Sequence, residues 1–415
     1  MMVVRATGVL LLMLICLSCG ETYRPVATPI IPNLPNPGFS HFALVISGNG
    51  SDHPGASTSI NVSGDTAESQ STVGLMPVQA AVVLNGTRVY VANSLDDTVS
   101  SFSPTSPTPV TTISLPAGSA PSFVASAENA SVYVANSGNN TVSAITMANN
   151  VLEQPVYGIP VGIDPVSLAE TPNLQKLYVA NRGNGAGGGS VTSINPVDRS
   201  VNPPISNATW VSPVSLAARS DSNRAYVLDQ GNGMVSAIDT ASDTVVNSVS
   251  VGVGANFMLY DPTRNRLYVS NPVANTVTYL QASTDALSAT VLAIANPISV
   301  AVLPDGTRAY VSSAAVAGGT VTSRITVINA SSGSVTTTIP LTSVAQVCAS
   351  NPSELSMAAA ADSSRVYVGN CDAGNVAIIQ TLSDTLLLQL PAPQSATFSN
   401  GTPLPQNPVF VVAGP

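Results

Sequence analysis

Charge is scarce in this sequence: Asp, Glu, Lys and Arg make up 8% of 415 residues, 13 basic against 22 acidic. A formal charge of −9 with so few cations argues against nucleic acid as a partner, because affinity for it rests on cationic contacts. The same charge repels anionic lipid surfaces, which leaves membrane contact to a covalent anchor. Histidine occurs twice, at His41 and His53, so a Ser-His-Asp triad or a multi-histidine metal site could be assembled only near the start of the chain. His53, in Asn49-Gly50-Ser51-Asp52-His53-Pro54, reads as part of a solvated loop. The glycine run Gly183 to Gly189 lacks the following helix of a phosphate loop and reads as a flexible loop tip. No long stretch favours helix.

What is present is strand and turn chemistry, with Val, Thr, Ser, Asn and Gly filling most of the chain. The segment Arg88-Val89-Tyr90-Val91-Ala92-Asn93 returns around Tyr133, Tyr178, Tyr226, Tyr268, Tyr310 and Tyr367, at spacings of 43, 45, 48, 42, 42 and 57 residues. A period of this size marks one supersecondary unit stacked on its neighbours. Residues 213–250 give the clearest copy. Strand A is Pro213 to Ala218, strand B Arg224 to Asp229, strand C Met234 to Asp239 and strand D Thr244 to Val251, with turn residues between them. Strand B is apolar on both alternating faces, as a sheet packed between two others requires.

Four antiparallel strands per unit predict an all-β fold, a single β-propeller over residues 40–415. Strand A opens at Pro77, Pro121, Pro165, Pro213, Asn256, Pro297, Pro352 and Pro408, which gives eight starts against seven Tyr-Val segments. A worn copy supplies the missing strands: Phe42 to Gly50 is aligned with Ala225 to Gly233, and Ser59 to Thr66 with Ala237 to Thr244. The eighth blade is therefore expected to combine N-terminal strands B to D with a C-terminal strand A at Pro408 to Val412, closing the ring. A seven-bladed ring with residues 40–76 as an outer strap is the alternative.

The spaced Tyr-Val-Ala-Asn copies closely resemble the YVTN-type β-propeller repeat family of bacterial and archaeal surface proteins. The likeness covers nearly everything after residue 39 and implies the fold, while the family itself is functionally mixed. A more distant similarity to seven-bladed lactonases implies hydrolysis of sugar lactones as an alternative activity, resting on fold analogy alone.

Arg5, the apolar run Gly8 to Leu17 and Ser18-Cys19-Gly20 read as an export signal over residues 1–18, its apolar core too short to span a bilayer. A small residue before Cys19 resembles the bacterial lipobox, which implies lipidation of Cys19, although Cys16 departs from the usual aliphatic residue. Cleavage near Ser18 to a soluble periplasmic product is the alternative. Gly20 after the Cys, by the rule for such proteins, favours the outer membrane or cell surface. Residues 19–39 complete the anchor region, where Pro25, Pro29, Pro32, Pro35 and Pro37 make an extended tether.

Cys348 and Cys371 remain for the body of the exported protein and are expected to form a disulfide, since antiparallel pairing puts the start of strand A beside the end of strand B. Loops entering strand A and leaving strand B share one face, where the irregular insertions at 182–189, 200–211, 313–323 and 342–350 fall. The candidate ligand-binding residues on that face are Asn93, Asn136, Asn181, Arg182, Trp210, Asp229, Asn271 and Asn370. Asn and Asp at strand ends equally serve to satisfy turn backbone groups, and Trp210 equally serves packing. The expected function is a non-catalytic, monomeric scaffold at the bacterial envelope, binding a protein, peptide or glycan without a cofactor. A divalent ion held by groups such as Asp229 and Asn271 enters only with the lactonase alternative. A quinoprotein-like redox role finds no ligand set.

Overall fold

In the computed structural model the described residues are 42–48, 53–83, 86–126, 130–185, 187–205, 208–283, 288–348, 355–392 and 407–414. The export signal, Cys19, the tether, His41 and Pro352 lie outside them. Among the described residues there is no helix, and eight antiparallel sheets form. Blade 1 runs from Pro77 to Ser114, blades 2 to 7 follow in chain order, and blade 8 joins the two ends. Each strand A packs beside the next, and the strand A of blade 8 packs beside those of blades 7 and 1, so eight blades close a ring.

Closure is explicit in the pairing. Asn407–Ala413 runs antiparallel to Phe42–Gly48, with Ala43 opposite Ala413 and Gly48 opposite Asn407. The seven-bladed alternative is thereby excluded. The expected alignment of this worn blade is off by one residue in strand B. Pro408 pairs with Ser47 as Pro213 pairs with Asp229, so Leu44, rather than Ala43, stands in the place of Tyr226. A slip of one position exchanges the two faces of a strand. Accordingly Leu44 packs toward blade 1 and Ala43 toward blade 7.

Blade 4 forms as expected: Pro213–Ala218, Arg224–Asp229, Met234–Asp239 and Thr244–Ser250. The strand-opening prolines stand at a recurrent irregularity, with register shifts after Pro77, Pro121, Pro165, Pro213 and Pro297. Proline lacks the donor that a regular ladder needs and is tolerated at strand starts and bulges. Strand A of blade 7 is short, Met357–Ala359. Blade 3 has three strands, Pro165–Glu170, Leu177–Asn181 and Ser190–Ile194, with only a bridge between Ile194 and Val201 where a fourth would lie.

The core is divided into eight clusters, each spanning the interface of two neighbouring blades. The seven repeat tyrosines are the largest fully buried side chains. Each points from strand B into the next blade, and all but Tyr268, whose hydroxyl has no hydrogen-bond partner among the described residues, meet the region around the turn between strands C and D there. Tyr90 donates to Asn150 at 2.7 Å, Tyr178 to Asp243 at 2.6 Å, Tyr310 to Asp384 at 2.6 Å and Tyr367 to Asp65 at 3.3 Å. Those four acceptors hold left-handed backbone, with φ of 57°, 50°, 52° and 50°. Asn and Asp tolerate that region better than most residues.

A cation two positions before the tyrosine joins the same acid. Lys176 lies 2.5 Å from Asp243, Arg308 2.8 Å from Asp384 and Arg365 3.0 Å from Asp65. Blade 2 has Ser131 where that cation would be, and the pattern inverts: Arg199, from the turn of blade 3, donates to Tyr133 at 2.8 Å and pairs with Glu153. Replacing Asp243 by Ala strands Lys176 and the hydroxyls of Tyr178 and Ser193. We expect a loss of about 3 kcal/mol in urea titration; a loss below about 1 kcal/mol would mean that water replaces the carboxylate without penalty.

Candidate functional site: the loop face

The two ends of the ring differ in chemistry. On the face formed by A–B and C–D turns lie the ion pairs Lys176–Asp243, Arg219–Asp221, Arg224–Asp239, Arg308–Asp384 and Arg365–Asp65. The face formed by D–A connections and B–C turns carries the pair Arg182–Asp164 and the exposed aliphatic side chains of Met76, Leu95, Ile163, Val211, Val253, Val273, Val316 and Val347, while Val197 and Leu382 are exposed in C–D turns of the opposite face. Val253 is 62% exposed and Val273 74%, so folding removes only a minor part of either side chain from water. Carboxylates on this face are taken up as clamps on the backbone. Asp97 accepts from the amides of Gly118 and Ala120 at 2.7 Å, and Asp372 from those of Val347 and Cys348 at 2.9 Å.

The ring of strand-B termini is part of this clamping and is not presented to solvent. Asn93, Asn136, Asn181, Asp229, Asn271 and Asn370 are 0–1% exposed. Asp229 accepts from the amides of Val211 at 2.7 Å and Ser212 at 2.8 Å, and Asn271 donates to the carbonyls of Val251 at 3.1 Å and Gly252 at 2.9 Å. Asn370 accepts from the amide of Ala373 at 3.2 Å. These six reach only their own turn, strand C or the connection arriving from the preceding blade. Burial keeps all six from the surface, while the Oδ1 atoms of Asn93, Asn136 and Asn181 and the Nδ2 of Asn370 have no hydrogen-bond partner among the described residues. Repetition at a fixed position signalled them, and repetition is also what a turn lock produces.

Arg182 is exposed, but its guanidinium is held by Asp164 at 2.7 Å. Trp210 is half-buried and packs with Ile205 and Ala208 against the core between blades 3 and 4, beside the blade that lacks its fourth strand.

The insertions at 313–323 and 342–350 build an arm on blade 6. Its strands, Arg308–Ala317 and Thr320–Asn329, have ten residues each, against six in blade 4, and turn through Gly318 and Gly319 at positive φ. Val344–Ala345, from the connection to blade 7, adds to Val321 and Thr320 as a third strand. That connection then reaches Cys348, whose Sγ is bonded to Cys371, with Cα atoms 6.1 Å apart and a sequence separation of 23. The disulfide ties the connection to the B–C turn of blade 7. Its reduction is expected to lower stability by roughly 3 kcal/mol on the loop-entropy account. Two thiols titrating in denatured, unreduced protein would contradict the bond.

Titration on the opposite face follows burial. Burial pushes Tyr133 up to about 12 against the pull of Arg199. Burial, reinforced by Asp243, raises Tyr178 further. Burial works against ionised Glu153, yet hydrogen bonds from Ser131 and Arg199 keep its carboxyl below the usual range. Among the described residues no three of His, Cys, Asp and Glu group closely enough to hold a metal ion.

No protein-family model matches the chain, and no curated protein does. Solved structures do. The dihydro-heme d1 dehydrogenase NirN in complex with DHE aligns over 93% of this chain and 78% of its own, with a TM-score of 0.65 and 12% identity. AztD from Citrobacter koseri aligns over 91% of this chain and 99% of its own, at 0.63 and 10%. Hydrazine synthase of Kuenenia stuttgartiensis covers 67% of this chain and 88% of its own, at 0.53 and 18%. Identities this low establish a shared propeller fold and nothing about activity.

Proposed function

We propose that this protein is an exported, non-catalytic propeller, held at the bacterial envelope through Cys19 and residues 19–39, that binds a protein, peptide or glycan with its loop face. The observation that carries this reading is the asymmetry of the ring. Irregular connections and the arm share one end with eight exposed aliphatic residues, while most of the ion pairs lie at the other. Rigid frames commonly carry recognition on such variable connections. The export signal and the likeness to the YVTN-type repeats of surface proteins point to the same setting.

Two tests address it. Cys19→Ser is expected to release the protein from the membrane fraction; retention would remove the anchor from the account. On glycan and peptide arrays, Val253→Asp and Val273→Asp together are expected to reduce bound signal at least about tenfold, as desolvated apolar contacts dominate interface energies. Undiminished signal would remove the loop face as the site. Turnover of a sugar lactone with a divalent ion present would replace this reading with the hydrolase.

A further inference from the structure

Blade 6 breaks the repeat at one spot. In blades 1, 2 and 3 the Asn ending strand B turns toward the preceding blade, and its Nδ2 bridges two hydroxyls of strand C. Asn93 reaches Thr98 and Ser100, each at 3.0 Å; Asn136 reaches Thr141 at 2.9 Å and Ser143 at 2.8 Å; Asn181 reaches Ser190 at 3.1 Å and Thr192 at 2.9 Å. In blade 6 the residue opposite the strand-opening proline is Ser313, and Arg324 stands opposite Ser313 as Thr98 stands opposite Asn93. Thr326 then holds the place of the second hydroxyl. The amide that fills this position in blades 1 to 3 is gone.

A cavity of about 180 Å³ opens there between blades 5 and 6, lined by Ala293, Ile294, Ser313, Arg324, Thr326 and Thr338. Arg324 is half-buried and, among the described residues, has no hydrogen-bond or ion-pair partner for its side chain; nor has the Thr326 hydroxyl. Most other cations of the ring are matched by an acid, including Lys176, Arg182, Arg199, Arg308 and Arg365. No acidic residue lines the cavity. A half-buried cation without a counter-charge is costly to keep unless something else pairs with it.

We propose that this crevice binds a small organic carboxylate. A guanidinium offers two parallel donors that match the two oxygens of a carboxylate. The hydroxyls of Thr326 and Thr338 add donors or acceptors at the side, and Ile294 with Ala293 gives an apolar wall for the carbon skeleton. The volume falls below the roughly 300–1,000 Å³ of sites for drug-sized ligands, which selects an acid of a few carbons. The site lies in a cleft between blades and stands independently of any macromolecule on the loop face.

The test is a ligand-observed NMR titration of the full chain with acetate, lactate and glucuronate, with sulfate as the competing anion. Saturable binding of lactate or acetate is expected, weakened at least about tenfold by Arg324→Ala and less by Arg324→Lys, which keeps the charge and loses the fork. Thr326→Val is expected to weaken it a few-fold while every variant melts at the parent temperature. Absence of saturable binding by all three acids up to about 50 mM, equal binding by Arg324→Ala, or sulfate binding as tightly as the carboxylates would each overturn the proposal.

Discussion

A chain shortened to end at residue 406 loses its cooperative melting transition, or melts more than about 10 °C lower, and aggregates at concentrations where the parent is monodisperse. The deleted strand is the innermost of blade 8 and supplies the pairing partner of Phe42–Gly48. It also places Val409, Phe410, Val411 and Val412 in the clusters that join blade 8 to blades 7 and 1. At about 1.5–3 kcal/mol per buried side chain, the loss is on the order of 5–10 kcal/mol, comparable with the whole stability of an ordinary domain. The strand left behind, buried nearly throughout in the closed ring, becomes an apolar edge able to template association. Circular dichroism melting and size-exclusion chromatography decide the matter, and unchanged behaviour in both would mean that the ends do not close the ring.

Alkali is expected to unfold the protein steeply between pH 10 and 12. Burial raises the phenol pKa of all seven repeat tyrosines, Tyr133 to about 12. A raised value means that the folded state holds its phenolic protons more tightly than the unfolded chain. The stability this contributes is intact below pH 10, where unfolded tyrosines begin to ionise, and is lost as pH climbs through the folded value. Each such tyrosine costs about 1.4 kcal/mol of stability per pH unit across that window, so several acting together exhaust the folded state within one or two units. Phenolate absorbance near 295 nm is expected to rise in step with loss of the β signal in circular dichroism. Gradual phenolate formation with the β signal intact would show that these hydroxyls ionise within the folded ring.

Strand B was legible because its burial on both faces leaves a dense local mark, Val-Tyr-Val, that recurs with the blade. Prolines marked strand A for an equally local reason, since a residue without an amide donor must stand where the ladder is irregular. The worn copy at Phe42–Gly48 was located but aligned one residue off, because Ala43 and Leu44 are both apolar and only pairing with Pro408 fixes the register. The Asp–cation–Tyr sets were hidden by distance along the chain. Tyr178 and Asp243 stand 65 residues apart, and only stacking of the blades brings them together. The candidate site was less legible still. Asn at five strand ends and Asp at a sixth point to a surface ring, whereas these side chains turn inward onto their own turn, strand C or the preceding connection. What distinguishes blade 6 is Arg324 opposite Ser313 where the Asn is missing, a pairing that acquires meaning only when strand C and the neighbouring blade stand beside it.

Ring closure by the chain ends is tested most directly by native-state hydrogen exchange, read on peptides covering residues 42–48 and 407–413. The account predicts that the amides of Phe410 to Val412 are protected to the same degree as those of Tyr226 to Leu228 in the middle of blade 4. Exchange of residues 407–413 at the rate of a free chain, with blade 4 protected, would contradict it.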